Sequence, residues 1–247
     1  MKRMIPIIFL LLSSPVYALS PEEKGERFLK NVIYYDVIYF SKNEKSMLTY
    51  SNALKPTIET TASDIYNDYK SNELAAEKKY QSSAVKISGS VNSVERNPFT
   101  NEPFVEIAAE KFGTVHANIT PSLLEEASEY IKGRNISLMC NGVEKKGIIT
   151  LKECYSSNIE NAAKGISNFI TDTFIKSTDE NPAKTPPSVS GILFWAWIVG
   201  QKLPDDSGCF GDFDLKGCDI SKYSDPEYAK SQEYQDLLKK YKARFNL

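Results

Sequence analysis

Apolar residues recur along this chain with two different periods, and the change of period divides it. Val85, Ile87, Gly89 and Val91 alternate with Lys86, Ser88, Ser90 and Asn92, which predicts a strand with one face buried. The alternation returns over residues 114–119, where Val115, Ala117 and Ile119 oppose His116 and Asn118. Residues 103–109 read as a strand between these two, and residues 96–102, with Asn97-Pro98 and Asn101, as the loop that leads to it. Thr120-Pro121 then opens a helix with Leu123, Leu124, Ala127, Tyr130 and Ile131 on one side, closed by Gly133. Two further strands are predicted over residues 135–143 and 148–155, joined by a charged turn of Glu144, Lys145, Lys146 and Gly147.

The helical period dominates on either side. Ser20-Pro21-Glu22-Glu23 has the form of a capping box, so a helix should begin there. It runs into residues 32–40, whose β-branched and aromatic side chains suit strand as well as helix; helix is the reading adopted. Ile65, Tyr69, Ala76 and Tyr80 mark one helix face over residues 61–80, and Ile159, Ala163, Ile166, Ile170 and Phe174 mark another. Residues 176–187, with Pro186-Pro187, read as a linker. Residues 189–200 carry no charge and include Trp195 and Trp197, which predicts a helix buried on most sides. Ser224-Asp225-Pro226-Glu227 should cap a last helix bearing Tyr234, Leu237, Leu238, Tyr241 and Phe245. The chain thus divides into a helical segment (19–58), a barrel domain with a lead-in helix (59–158), a helix (159–176), a linker (177–190) and a helical region with a cysteine loop (191–247).

Strand, strand, strand, helix, strand, strand is the order of an OB-fold, a five-stranded Greek-key barrel. The expected fold is therefore α+β, a barrel flanked by N- and C-terminal helices. Particular residues add a resemblance. Asn72-Glu73, Ala75-Ala76 and Lys79-Tyr80 precede the strand of Val85, Ile87, Gly89 and Val91; Lys132-Gly133 stands before the fourth strand; Cys140-Asn141-Gly142 and Leu151 with Cys154 follow. In that order they resemble the tRNA_anti-like OB-fold domain over about residues 60–157. The resemblance implies a barrel related to those that bind anticodons, and it transfers fold far better than function.

Composition fixes the class and the compartment. Twelve Pro, twelve Gly and 41% hydrophobic residues describe an ordinary globular chain. Lys2 and Arg3, an apolar run to Leu12, and Val16-Tyr17-Ala18 form a secretory signal, with cleavage expected after Ala18. Beyond it no apolar run is long enough to span a membrane. Cleavage leaves 28 basic against 32 acidic residues, a net charge of −4, which does not favour nucleic acid as a partner. Export also predicts that the four cysteines are oxidised. Cys140 with Cys154, equally spaced about Gly147, and Cys209 with Cys218, around a Gly-rich loop, is the simplest pairing. A four-cysteine zinc site would want close C-x-x-C pairs, which are absent.

Few residues suggest chemistry. His116 is the one histidine, so no two-histidine metal site exists. Ser83-Ala84-Val85-Lys86 matches S-x-x-K, but it enters a strand, where residues three apart face opposite ways. Asp212, Asp214, Gly217 and Asp219 resemble a calcium loop, yet Lys216 occupies a ligand position and the twelfth-position Glu is missing. Neither metal nor cofactor is expected, nor an enzyme. The candidate binding face comprises Lys86, Ser88, Phe104, Glu106, His116 and Asn118 on the barrel, with Arg96, Lys145 and Lys146 in its hairpins. One aromatic and a carboxylate there suit a strand of nucleic acid poorly. The expectation is an exported, non-enzymatic module engaging another envelope protein or a small ligand, with single-stranded nucleic acid or oligosaccharide as the alternative.

Overall fold

The computed structural model describes residues 18–43, 45–46, 48, 52–110, 113–182, 187–221, 223, 226–245 and 247. The expected signal segment up to Tyr17, Pro186 of the expected linker, and Ser224 and Asp225 of the expected cap lie outside the described residues.

Seven strands form the barrel domain: β1 (Ile58–Thr61), β2 (Ala84–Arg96), β3 (Pro103–Ala108), β4 (Thr114–Ile119), β5 (Asn135–Asn141), β6 (Val143–Lys146) and β7 (Ile148–Ser156). Strands β2, β3, β4, β7 and β5 pair in that order, and β5 returns to β2, so the sheet closes into the five-stranded barrel of an OB-fold. The closure runs through β4 and β7, which pair parallel. Alternation puts Val85, Ile87, Val105, Ile107, Val115 and Ala117 inside the barrel, each fully buried or nearly so. Strand β2 carries one extra residue between Val91 and Ser93, a bulge that frees Asn92 from the ladder.

The end of the barrel domain is a single long hairpin centred on Gly147, whose φ of 84° suits a residue without Cβ. Its pairs run symmetrically from Lys146 opposite Ile148 out to Leu138 opposite Ser156, interrupted from Cys140 to Gly142. Glu144, Lys145 and Lys146 therefore belong to β6 and not to a turn, since Gly147 alone makes the reversal. The same register faces Cys140 toward Cys154, and the two are bonded, with Cα atoms 4.1 Å apart.

The described residues also form eight helices: α1 (Pro21–Asn43), α2 (Ala62–Ser71), α3 (Glu73–Tyr80), α4 (Leu124–Ser128), α5 (Ile159–Ile175), α6 (Pro187–Lys202), α7 (Pro226–Lys230) and α8 (Gln232–Tyr241). The ambiguous residues 32–40 are helical because they continue α1, burying Ile33, Val37 and Phe40 on one face. The single helix expected over residues 61–80 is two: Asn72, extended at φ −158° and ψ 97°, ends α2, and its side chain caps α3 by accepting from the Ala75 N–H. Helix α4 is a short stub after a 3-10 turn (Pro121–Leu123); Leu123, Ala127 and Tyr130 face inward, whereas Leu124 and Ile131 are exposed. The last helix is capped by Ser231, whose hydroxyl accepts from the Tyr234 N–H.

A second apolar core lies among α1, α5, α6 and the C-terminal helices. Helix α6 is buried on most sides as its composition predicts; Trp197 is 4% exposed, while Trp195 is only half-buried. Helices α1 and α6 meet at glycines: a Cβ on Gly200 would stand 2.9 Å from the Gly25 Cα and 2.7 Å from the Phe28 Cβ. Cys209 is bonded to Cys218, and the loop between them hangs from α1 by Asn31, whose Nδ2 donates to the carbonyls of Cys209, Gly211 and Asp214. The two cores join where α5 lies on the 3-10 turn, so closely that a Cβ on Gly165 would stand 2.1 Å from the Ser122 carbonyl oxygen.

Candidate binding surface

The outward residues of β3 and β4 form one compact group. Phe104 stands opposite Asn118 and Glu106 opposite His116. The His116 ring stacks on Phe104, with centroids 4.6 Å apart and planes 15° apart, while its Nε2 lies 3.8 Å from Glu106 Oε1. Glu106 Oε2 accepts hydrogen bonds from the bulged Asn92 (2.7 Å) and from the Ser93 hydroxyl (3.1 Å). Burial pushes this carboxyl up, but hydrogen bonds from Asn92, Thr114 and Ser93 and the nearby His116 outweigh it and hold Glu106 below its ordinary range. Glu106 is thus a fixed negative charge in the middle of the face.

The other expected members of the face are not brought to this group. Lys86 and Ser88 lie on the half of β2 that pairs with β1 and β5, and Lys86 Nζ is 3.2 Å from Glu59. Arg96 is the last residue of β2 and donates to the Asn101 carbonyl at 2.9 Å, closing the loop at residues 97–102. Lys145 is paired with Glu73 at 2.5 Å and Lys146 with Glu144 at 3.3 Å. Every basic residue of the expected face is therefore engaged by a partner within the chain.

Beyond Asn118 the barrel face runs into a cleft of about 790 Å³ between the barrel and helix α5. One wall is apolar: Ile166, Phe169 and Ile170 of α5, with Val189, Leu48 and Leu54. The other belongs to the barrel, with Pro103, Asn118, Ile119 and Tyr155, and its rim carries Glu102, Glu144, Lys152 and Glu153. A bulge in β7 makes this rim: Ala117 pairs with Leu151 but Ile119 with Cys154, leaving one extra residue in β7. Glu153 absorbs the distortion with a φ of 45°, a conformation that is costly for a residue other than glycine. Burial raises the Glu144 carboxyl, but Lys146 and Lys152 overcome this and hold it below its usual range. The sequence reading missed the cleft, because its walls come from positions as far apart as Leu48 and Val189. One signal was available: Phe169 is a large apolar residue off the buried stripe of α5, and it is 44% exposed.

A second groove, of about 610 Å³, follows the exposed side of α1, where Val32, Tyr35, Asp36 and Tyr39 face Trp195, Leu215 and Ile220. In the cysteine loop the Asp214 carboxylate accepts the Lys216 N–H at 2.8 Å, and just after it the Asp219 carboxylate accepts the Ser221 N–H at 2.9 Å. Among the described residues, no three His, Cys, Asp or Glu side chains gather as a metal site would require, and no helix is long and apolar enough to cross a membrane.

A closed five-stranded barrel with a parallel β4–β7 closure and a helix between its third and fourth barrel strands makes this an OB-fold protein with α+β architecture. The tRNA_anti-like family model matches residues 1–155, more than half of the chain, and the protein belongs to that family. Comparison with curated proteins and with solved structures finds no match.

Proposed function

We propose that the chain is an exported, non-enzymatic binding module that engages another protein of the envelope, or a small ligand, at the junction of its barrel and helical layer. The observation that carries this reading is the cleft of about 790 Å³, whose size is that of ligand sites and whose apolar wall ends in an exposed phenylalanine. Two disulfides suit an oxidising compartment, and the signal-like N-terminus supplies a route to it. A binding role fits the chemistry at hand better than catalysis: both cysteine pairs are bonded, and His116 rests on Phe104 beside a carboxylate already held by Asn92 and Ser93.

One observation favours the alternative, oligosaccharide or single-stranded nucleic acid. The stacked Phe104 and His116 rings offer a flat platform of the kind on which sugars and bases rest. For nucleic acid the surrounding charge argues against it, since Lys86, Lys145 and Lys146 are neutralised and Glu106 is ionised. Capture from envelope extracts with tagged protein lacking residues 1–18 should return a protein or small-molecule partner. Submicromolar binding of a single strand of about 20 nucleotides at physiological salt would promote the alternative instead.

A further inference from the structure

We infer that the cleft between the barrel and α5 receives a cationic, amphipathic segment of another protein, with lysine or arginine along one side and large apolar residues along the other. The inference rests on the reading of the cleft as the binding surface and adds the chemistry of its occupant. Its two walls differ in kind. The wall from α5 and α6 is apolar, built by Ile166, Phe169, Ile170 and Val189, and Phe169 leaves 44% of its surface uncovered. The barrel rim opposite has three carboxylates, Glu102, Glu144 and Glu153, against Lys152 alone.

That lysine is already spent, since its Nζ lies 3.5 Å from Glu144, which also holds Lys146. Glu102 and Glu153 have no cationic partner among the described residues: Glu102 accepts from the Thr100 hydroxyl and Glu153 from the Asn141 amide. An anionic occupant would face two uncompensated carboxylates. Both carboxylates are exposed to solvent, so a cation gains there a modest attraction that salt screens, and an anion is repelled to the same degree. A small polyamine would satisfy the rim and leave the apolar wall wet, whereas a neutral apolar ligand would do the reverse. Only an occupant with two unlike sides matches both walls, and an amphipathic peptide segment is that shape.

The test uses the full disulfide-bonded protein without residues 1–18 and three synthetic peptides that share leucine positions, with polar sides of lysine, glutamate or serine. Fluorescence anisotropy should show the lysine peptide binding about tenfold or more tighter than the other two, and weakening as salt rises. Glu102→Gln with Glu153→Gln should remove most of that preference, and Phe169→Ser should weaken the lysine peptide by about tenfold. Unchanged thermal unfolding of both variants would assign the losses to the surface. Three results would overturn the inference: preference for the glutamate or serine peptide, wild-type affinity in both variants, or displacement of the lysine peptide by an equal concentration of polyamine. An acidic envelope protein cross-linked in the cleft would sink the inference and leave the binding reading standing; partners that attach elsewhere would sink both.

Discussion

The barrel and the helical layer bury cores of similar size by opposite means. The barrel core comes from one contiguous stretch, Ala62 to Cys154, in which alternation along each strand already states what points inward. The helical core is assembled from the two ends of the chain: Asn31 of α1 bonds to carbonyls 178 to 183 residues away. The barrel is held by ladders and a cross-strand disulfide, the helical layer by close approach at glycines and by a loop hung from a single amide. A core made of local alternation tolerates change on its outer face, whereas a core made by docking distant helices depends on a few contacts. The cleft lies where the two kinds of construction meet.

This difference is open to attack at its ends. The largest effect is expected from Gly200→Leu, because α1 is too close to admit a side chain there. A loss of about 3 kcal/mol or more should follow, read by urea unfolding followed through Trp195 and Trp197, both in α6. Hydrogen exchange should show the amides of β2 and β5 less affected than those of α1; equal losses would mean that the two layers do not differ as described.

Next, replacing Cys140 and Cys154 by alanine should cost about 3 kcal/mol, the loop entropy of a closure spanning 14 residues. Opening the shorter Cys209–Cys218 loop, which spans 9, should cost somewhat less. Asn31 should still tether that loop. Calorimetry of the two double variants ranks them, and a larger loss from the second would reverse the assignment. Asn31→Ala should cost about 2 kcal/mol, because it leaves the buried Cys209 carbonyl without this donor and frees the loop carbonyls of Gly211 and Asp214.

The smallest effect concerns Glu106. Its carboxyl is held below the ordinary value of 4.5, so its contribution is present at neutral pH and is lost as pH falls below 4.5 through the depressed value. Glu106→Gln should lower stability at pH 7 by about 1 kcal/mol and flatten the acid limb of the stability curve. Denaturant midpoints measured across that range for both proteins check the sign; a variant that stays as acid-sensitive as the wild type would remove Glu106 from the face's electrostatics.

The sequence declared the barrel because apolar residues in strict alternation leave little choice of face, as in Val115, Ala117 and Ile119, all buried as expected. The Cys140–Cys154 disulfide was legible for the same reason, since equal spacing about Gly147 is a statement of register, whereas Cys209–Cys218 followed only as the simplest remaining pair. Strand β1 was not, since its four residues alternate only between half-buried and exposed, too short and weak a pattern to read, and they pair parallel with a strand 27 positions on. The break at Asn72 was hidden because Tyr69 and Ala76 keep helical spacing across it by coincidence of two separately capped helices. Of the candidate face, strand parity put Phe104, Glu106, His116 and Asn118 together, and the β3–β4 register sets them side by side. Parity could not reveal that Glu59, Glu73 and Glu144 hold Lys86, Lys145 and Lys146.

The most direct test of the central claim is site-specific photo-crosslinking in envelope preparations. A photoreactive phenylalanine analogue at Phe169 reports on the cleft, and the same analogue at Tyr39 reports on the separate groove along α1. The account predicts a discrete crosslinked partner from position 169 and none from position 39. Crosslinks that form from position 39 and not from 169 would contradict it.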